Sequence, residues 1–204
     1  MVGVDSVAIE FQRFAAWLTE ERPHEIERIE RLANGFEGWI KLEFFFWLTS
    51  HRSPPLTCAA SSGAEEVDVG LEYALLLDQR FKDNRTTKQC DIWVRSSAGP
   101  SLFHYVELKA PFLNGNAGKI LDSAGNDFWY MSRIRRSYEQ AASGNAVVLG
   151  VGFDAASWAR ALDRLRAQAG VPDDLNFAGQ GTLGRAERIS WCVLTKTYVP
   201  TDPE

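Results

Sequence analysis

The run NAVVLGVGF, residues 145–153, limits the fold more than any other segment of the chain. A strand with one wet face alternates apolar and polar side chains, whereas a continuous apolar run of strand length belongs where both faces are covered. It predicts a central strand with helices on both sides of its sheet, and so an α/β architecture. The flanking segments agree. Val7, Phe11, Phe14 and Leu18 recur at helical spacing, Pro23 breaks the run, and Ile26, Ile29 and Leu32 resume it up to Asn34-Gly35. The stretch GFEGWIKLEFFFWLTS predicts a buried helix, and HRSPPLTCAASSGAEE a loop. LEYALLLDQRF (71–81), KQCDIWVRS (88–96) and SLFHYVELKA (101–110) read as strands joined by short turns, an antiparallel meander. LNGNAGK reads as a loop before a helix from about Asp127 to Ala142, with Phe128, Met131, Ile134, Tyr138 and Ala141 as its apolar stripe. After the central strand come a helix, WARALDRLRAQAG, and a last strand, RISWCVLTKTYV. The expected order is helix, three strands, helix, strand, helix, strand.

At 204 residues this is expected to be a single domain, 1–204. The longest apolar run, FFFWL, falls far short of the ~20 residues that cross a membrane, and the amino terminus lacks the pattern of a secretory leader. Cys58, Cys90 and Cys192 are odd in number and widely spaced, which predicts reduced thiols and a cytoplasmic protein. The histidines are equally scattered, so structural zinc is not expected. A formal charge of −5 excludes a surface that is basic throughout, though not a local basic patch.

Two glycine patterns carry no chemistry. GQGTLG has the spacing of a dinucleotide fingerprint but too little chain after it for a strand–helix unit, and NGNAGKI lacks the first glycine and the hydroxyl of a phosphate loop. The informative residues are acidic. Asp91 lies inside the apolar strand CDIWV, where an unpaired carboxylate would be costly to bury. Sixteen residues on, Glu107 and Lys109 share one face of the next strand, and a hairpin can set Asp91 beside Glu107. Two adjacent carboxylates suit Mg²⁺, which takes one or two of them and keeps several waters. Glu43 falls in the apolar stripe of the buried helix with Phe36, Trp39, Ile40 and Trp47, while Glu37 does not, so Glu43 is the expected third acid.

A helical Glu, an Asp on one strand and an acidic-x-Lys triplet on the next, here Glu43, Asp91 and Glu107-Leu108-Lys109, resemble the PD-(D/E)xK nuclease superfamily. The resemblance implies a restriction-endonuclease-like mixed β-sheet flanked by helices, with a core over 36–152. Residues 1–35 would then be an N-terminal helical extension, and 153–199 a C-terminal helix and strand completing the sheet. It implies a divalent-metal-dependent endonuclease that hydrolyses phosphodiester bonds in DNA through metal-activated water. Mg²⁺ or Mn²⁺ would be held by Asp91, Glu107 and the Leu108 carbonyl, with Glu43 reaching the ion through water and Lys109 catalytic. Gln140, late in the following helix, would touch the site. Cys90 stands where the family pattern has proline. DNA ranks ahead of RNA as partner, no membrane is implied, and a homodimer is left open. Arg133, Arg135 and Arg136 read either as a solvated helix face or as a grip on phosphates. Three alternatives stay open. Glu107 and Lys109 can be a strand-end ion pair, with Glu43 paired to Lys41 or an arginine. The domain can be a catalytically silent module that binds nucleic acid or protein. It can also be a toxin or defence effector acting on RNA or foreign DNA.

Overall fold

A computed structural model describes residues 3–29, 31, 36–58, 67–78, 85–135, 139–169, 179–183 and 189–198. Helices α1 (Val7–Glu21), α2 (Pro23–Ile29) and α3 (Glu37–Phe46) precede strands β1 (Val69–Leu76), β2 (Thr87–Arg95) and β3 (Phe103–Lys109). Helix α4 (Ala117–Met131), β4 (Ala141–Val151), α5 (Ala155–Ala169), β5 (Gly179–Leu183) and β6 (Ile189–Thr197) follow. All six strands join one mixed sheet in the order β1-β2-β3-β4-β6-β5. The meander β1–β2–β3 is antiparallel, β3 and β4 run parallel across the α4 connection, and β6 is antiparallel to both β4 and β5. The fold is α/β, a mixed sheet flanked by helices. No helix among the described residues is long and apolar enough to cross a membrane.

The apolar run behaves as its composition requires. Within β4, residues 146–149 are buried, Val147 and Leu149 toward one side and Val148 toward the other. On the first side α1 and α3 supply Phe11, Phe14, Leu18, Ile40 and Phe44, with Phe11 set edge-on to Phe44 and Trp191 at 5.2 and 5.3 Å. The N-terminal segment is thereby part of the main core. Pro23 opens α2 at a first-turn position where its missing N–H costs nothing. On the second side α4 and α5 close over Val148 and Cys192. Cys90 and Cys192 are buried, and all three cysteines are free.

Three sequence expectations are corrected. First, the helix expected over 127–142 begins ten residues earlier, at Ala117, and ends at Met131; Ala141 already belongs to β4. Its buried face runs through Ala117, Leu121, Ala124, Phe128 and Met131, helical spacing built partly from small residues. Asn114 leads into it, accepting the Asn116 N–H on its side chain and the Ala117 N–H on its carbonyl. Tyr198 stops it, its hydroxyl donating to the Met131 carbonyl and accepting from the Ile134 N–H. Gly144 of β4 lets that end sit close, since a Cβ there would lie 2.0 Å from the Met131 oxygen. Tyr138 lies outside the described residues. Second, two strands follow α5 where one was expected: GQGTL forms an edge strand, its glycines letting the Trp191 indole lie across the backbone; a Cβ on Gly181 would be 2.8 Å from Nε1. Third, β1 begins at Val69 and ends at Leu76, short of the expected Phe81, which lies outside the described residues.

Strand β1 forms one edge of the sheet, and chain segments close both its ends. The Thr57 carbonyl accepts the Asp68 and Val69 N–H groups, while Leu76 receives the Arg135 N–H on its carbonyl and gives its own N–H to the Glu139 carboxylate. In β2 the alternation of faces changes phase at Asp91: Cys90 packs with Tyr105 and Met131 on the α4 side, and Ile92 packs in the α1–α3 core. Opposite it on β1, Glu72 has φ 56°, a left-handed conformation that a non-glycine residue rarely adopts.

Candidate active site

The phase change frees the Asp91 carboxylate from both cores. The β2–β3 ladder runs from Arg95 to Ile92, which faces Val106, and stops short of Asp91, whose carboxylate lies close enough to Glu107 to push its carboxyl up. Oδ2 of Asp91 accepts the Leu108 N–H at 2.8 Å, and Oδ1 lies 3.4 Å from Lys41 Nζ. Lys41, on α3, is also tightly paired with Glu72. Glu107 is buried, and its Oε1 accepts from Lys88 at 2.9 Å and from Lys109 at 3.0 Å. Lys109 donates to Glu37 at 3.2 Å and to the Leu108 carbonyl at 3.1 Å, and lies 3.4 Å from Asp127 Oδ2; Asp127 Oδ1 is 3.1 Å from Lys88. Residues from β1, β2, β3, α3 and α4 therefore meet in one charged cluster. Its carboxylates, Glu37, Glu72, Asp91, Glu107 and Asp127, outnumber its ammoniums, Lys41, Lys88 and Lys109, by five to three.

Burial pushes the Glu107 carboxyl above its ordinary value; Asp91 and Asp127 push the same way, against Lys109 and Lys88. Burial alone would lower Lys109, but Glu107, Glu37 and Asp127 outweigh it and the ammonium is held above its ordinary range. Lys88 follows the same balance, raised by Glu107 and Asp127 against burial. Both lysines are thus cations at neutral pH.

The structure brings Asp91, Glu107, Leu108 and Lys109 together as expected, and corrects the positions of three other residues. Glu43 stands about 200° around α3 from Lys41, and its Oε2 faces Arg22 Nε at 3.8 Å. The reading in which Glu43 pairs with an arginine describes it; Glu37, one turn before Lys41, is the α3 acid at the cluster. Gln140 is in a turn with φ 51°, and its carbonyl accepts the Phe103 N–H at the far end of β3. Four residues of strand, roughly 13 Å, separate Phe103 from Glu107, so Gln140 lines a hollow with Tyr73, Trp93 and Phe103 instead. Arg133 lies beyond the end of α4 with its guanidinium over the Trp129 ring, and Arg136 is outside the described residues.

Sequence reasoning missed Lys88, Asp127, Glu37, Lys41 and Glu72. Asp127 was findable: three residues from Ala124 and four from Met131, it falls on the buried face of α4 once the helix starts at Ala117. Glu37 and Lys41 share a helix face at i, i+4 spacing. Lys88 carried no signal, since a lysine near the start of a strand is ordinary.

Among the described residues no three His, Cys, Asp or Glu side chains are grouped to hold a metal ion. The Asp91 and Glu107 carboxylates and the Leu108 carbonyl are nonetheless all oxygen donors, the kind Mg²⁺ takes, and the surplus of carboxylates leaves negative charge for it to offset. The donor set fits such an ion. No family model, no curated protein and no solved structure matches the chain.

Proposed function

We propose that the protein is a divalent-metal-dependent nuclease of the restriction-endonuclease-like fold, hydrolysing phosphodiester bonds in DNA. One observation carries the reading: Asp91 of β2 accepts the N–H of Leu108, the residue between Glu107 and Lys109 on β3, and Lys109 is hydrogen-bonded to both the Glu107 carboxylate and the Leu108 carbonyl. The frame supports it, since α3, an antiparallel meander, α4 and a parallel β4 are the order the resemblance implies. Asp91, Glu107 and the Leu108 carbonyl would hold Mg²⁺ or Mn²⁺, with Glu37 taking the place first expected of Glu43. Such an ion supplies charge that acidifies the attacking water and offsets the negative charge of the transition state. Lys109, an ammonium at neutral pH, donates rather than accepts: it orients the water and stabilises the developing phosphorane charge. The water oxygen bonds to phosphorus as the bond to one ester oxygen breaks; the water gives up a proton to solvent and the departing oxygen takes one.

Purified protein is expected to cleave plasmid DNA with Mg²⁺ or Mn²⁺, and Asp91→Ala and Lys109→Ala to lose that cleavage while their circular dichroism stays native. Absence of cleavage of duplex, single-stranded and branched substrates with either metal rejects the reading. A second reading, a silent domain that only binds, is favoured by the fact that Glu107 Oε1 and Asp91 Oδ2 already have protein donors. Calorimetry separates the two: a silent module takes up no Mn²⁺.

A further inference from the structure

Lys88 is unlike the other lysine of β-strand origin at the site, because no sequence motif accounts for it and its side chain is only 12% exposed. A buried ammonium needs partners, and both of its carboxylates are shared with Lys109. Glu107 Oε1 accepts from the two lysines at once, and Asp127 turns one oxygen toward each. Two ammoniums and two carboxylates thus alternate in a closed, neutral ring. Glu107 meets both lysines with the same oxygen, Oε1, so a cation drawn to this carboxylate weakens its hold on them. Lys109 then keeps Glu37 beside Asp127, whereas Lys88 keeps only Asp127 of its two carboxylates, and an anionic phosphate oxygen takes the place that Glu107 gives up.

We propose that Lys88 is a second substrate-binding lysine, contacting a non-bridging phosphate oxygen beside the bond that is cut, and that Asp127 is the positioning residue that holds it ready. This rests on the nuclease reading. Lys109 then serves the water and Lys88 the phosphate, and Asp127 fixes the spacing of the two from the helix that covers them.

The test is binding of a fluorescently labelled duplex by anisotropy in Ca²⁺, over a series of salt concentrations, with Mn²⁺ calorimetry in the absence of DNA. Lys88→Met is expected to make the plot of log affinity against log salt shallower by about one, and Lys88→Arg to keep the wild-type slope. Lys88→Met should also bind Mn²⁺ more tightly, because Glu107 no longer answers to a second ammonium. Asp127→Asn, which leaves the strand lysines in place, should bind duplex more tightly than wild type without metal, with a steeper salt slope, and keeps the proposal testable where Lys88→Met does not fold. Unchanged slopes in folded Lys88→Met or Asp127→Asn, with a wild type that binds and cleaves DNA, overturn the role of Lys88 alone. A wild type that neither cleaves DNA nor binds Mn²⁺ rejects the nuclease reading, and this inference with it.

Discussion

At the scale of single residues, the cluster is governed by how carboxylates and ammoniums share a small buried volume. Glu107 is raised by burial and by the neighbouring acids, and lowered by Lys109 and Lys88. In metal-free protein its carboxyl carbon should therefore titrate above 4.5 by ¹³C NMR, and higher still in Lys88→Met, which removes one of the two opposing cations; a shift to lower pH in that variant would contradict the arrangement. The lysines give the opposite limb. A lysine whose folded value is raised adds stability that is fully present below its unfolded value of 10.5 and is lost as pH rises through the folded one. Alkaline unfolding of wild type should thus be steeper above about pH 10 than that of Lys109→Met. Glu43 offers a sharper contrast. Its partner is Arg22, in a partly exposed pair worth about 0–1 kcal/mol, so Glu43→Gln should leave cleavage near the wild-type rate while Glu37→Gln lowers it, as initial rates on one substrate will show.

At the scale of elements, the sequence carried the meander and the central strand well, the α4 connection poorly and β5 not at all. The meander was legible because β-branched and aromatic runs separated by short turns have few other uses, and Asp91 because an acid in CDIWV contradicts its surroundings. Helix α4 was misplaced because Gly115, Gly118 and the asparagines before it look like a loop, while the first turns of its buried face are made of Ala117, Ala124 and Gly125 around Leu121, and residues so small carry weak periodicity. What makes α4 fit cannot be seen locally: Tyr198, far along the chain, caps its end, and Gly144 admits that end to the sheet. Gly144→Ala would set a methyl group against the Met131 carbonyl, and should cost about 3 kcal/mol, measurable as a lower urea midpoint. The same difficulty hid Asp127, which reaches the cluster only through the true position of α4.

At the scale of the whole molecule, the helices divide the labour. Helix α1 and the buried side of α3 close one face of the sheet around Phe11, Phe44 and Trp191, and α4 with α5 close the other, while Glu37 and Lys41 of α3 and Asp127 of α4 bring charge from opposite layers to the strands between them. The site is therefore held by the packing of both layers, and hydrogen exchange should find β3 and β4 among the slowest amides, with edge strand β5 faster. The closed ends of β1 bear on how copies of the chain can meet. With Thr57 at one end and Arg135 and Glu139 at the other, at most residues 70–75 of that margin lie open, and Glu72 interrupts even these with its left-handed backbone. A flat run of free amides long enough to template a neighbour is missing. Sheets of two molecules cannot merge along β1 into one continuous ribbon, which leaves β5 as the sheet's other margin.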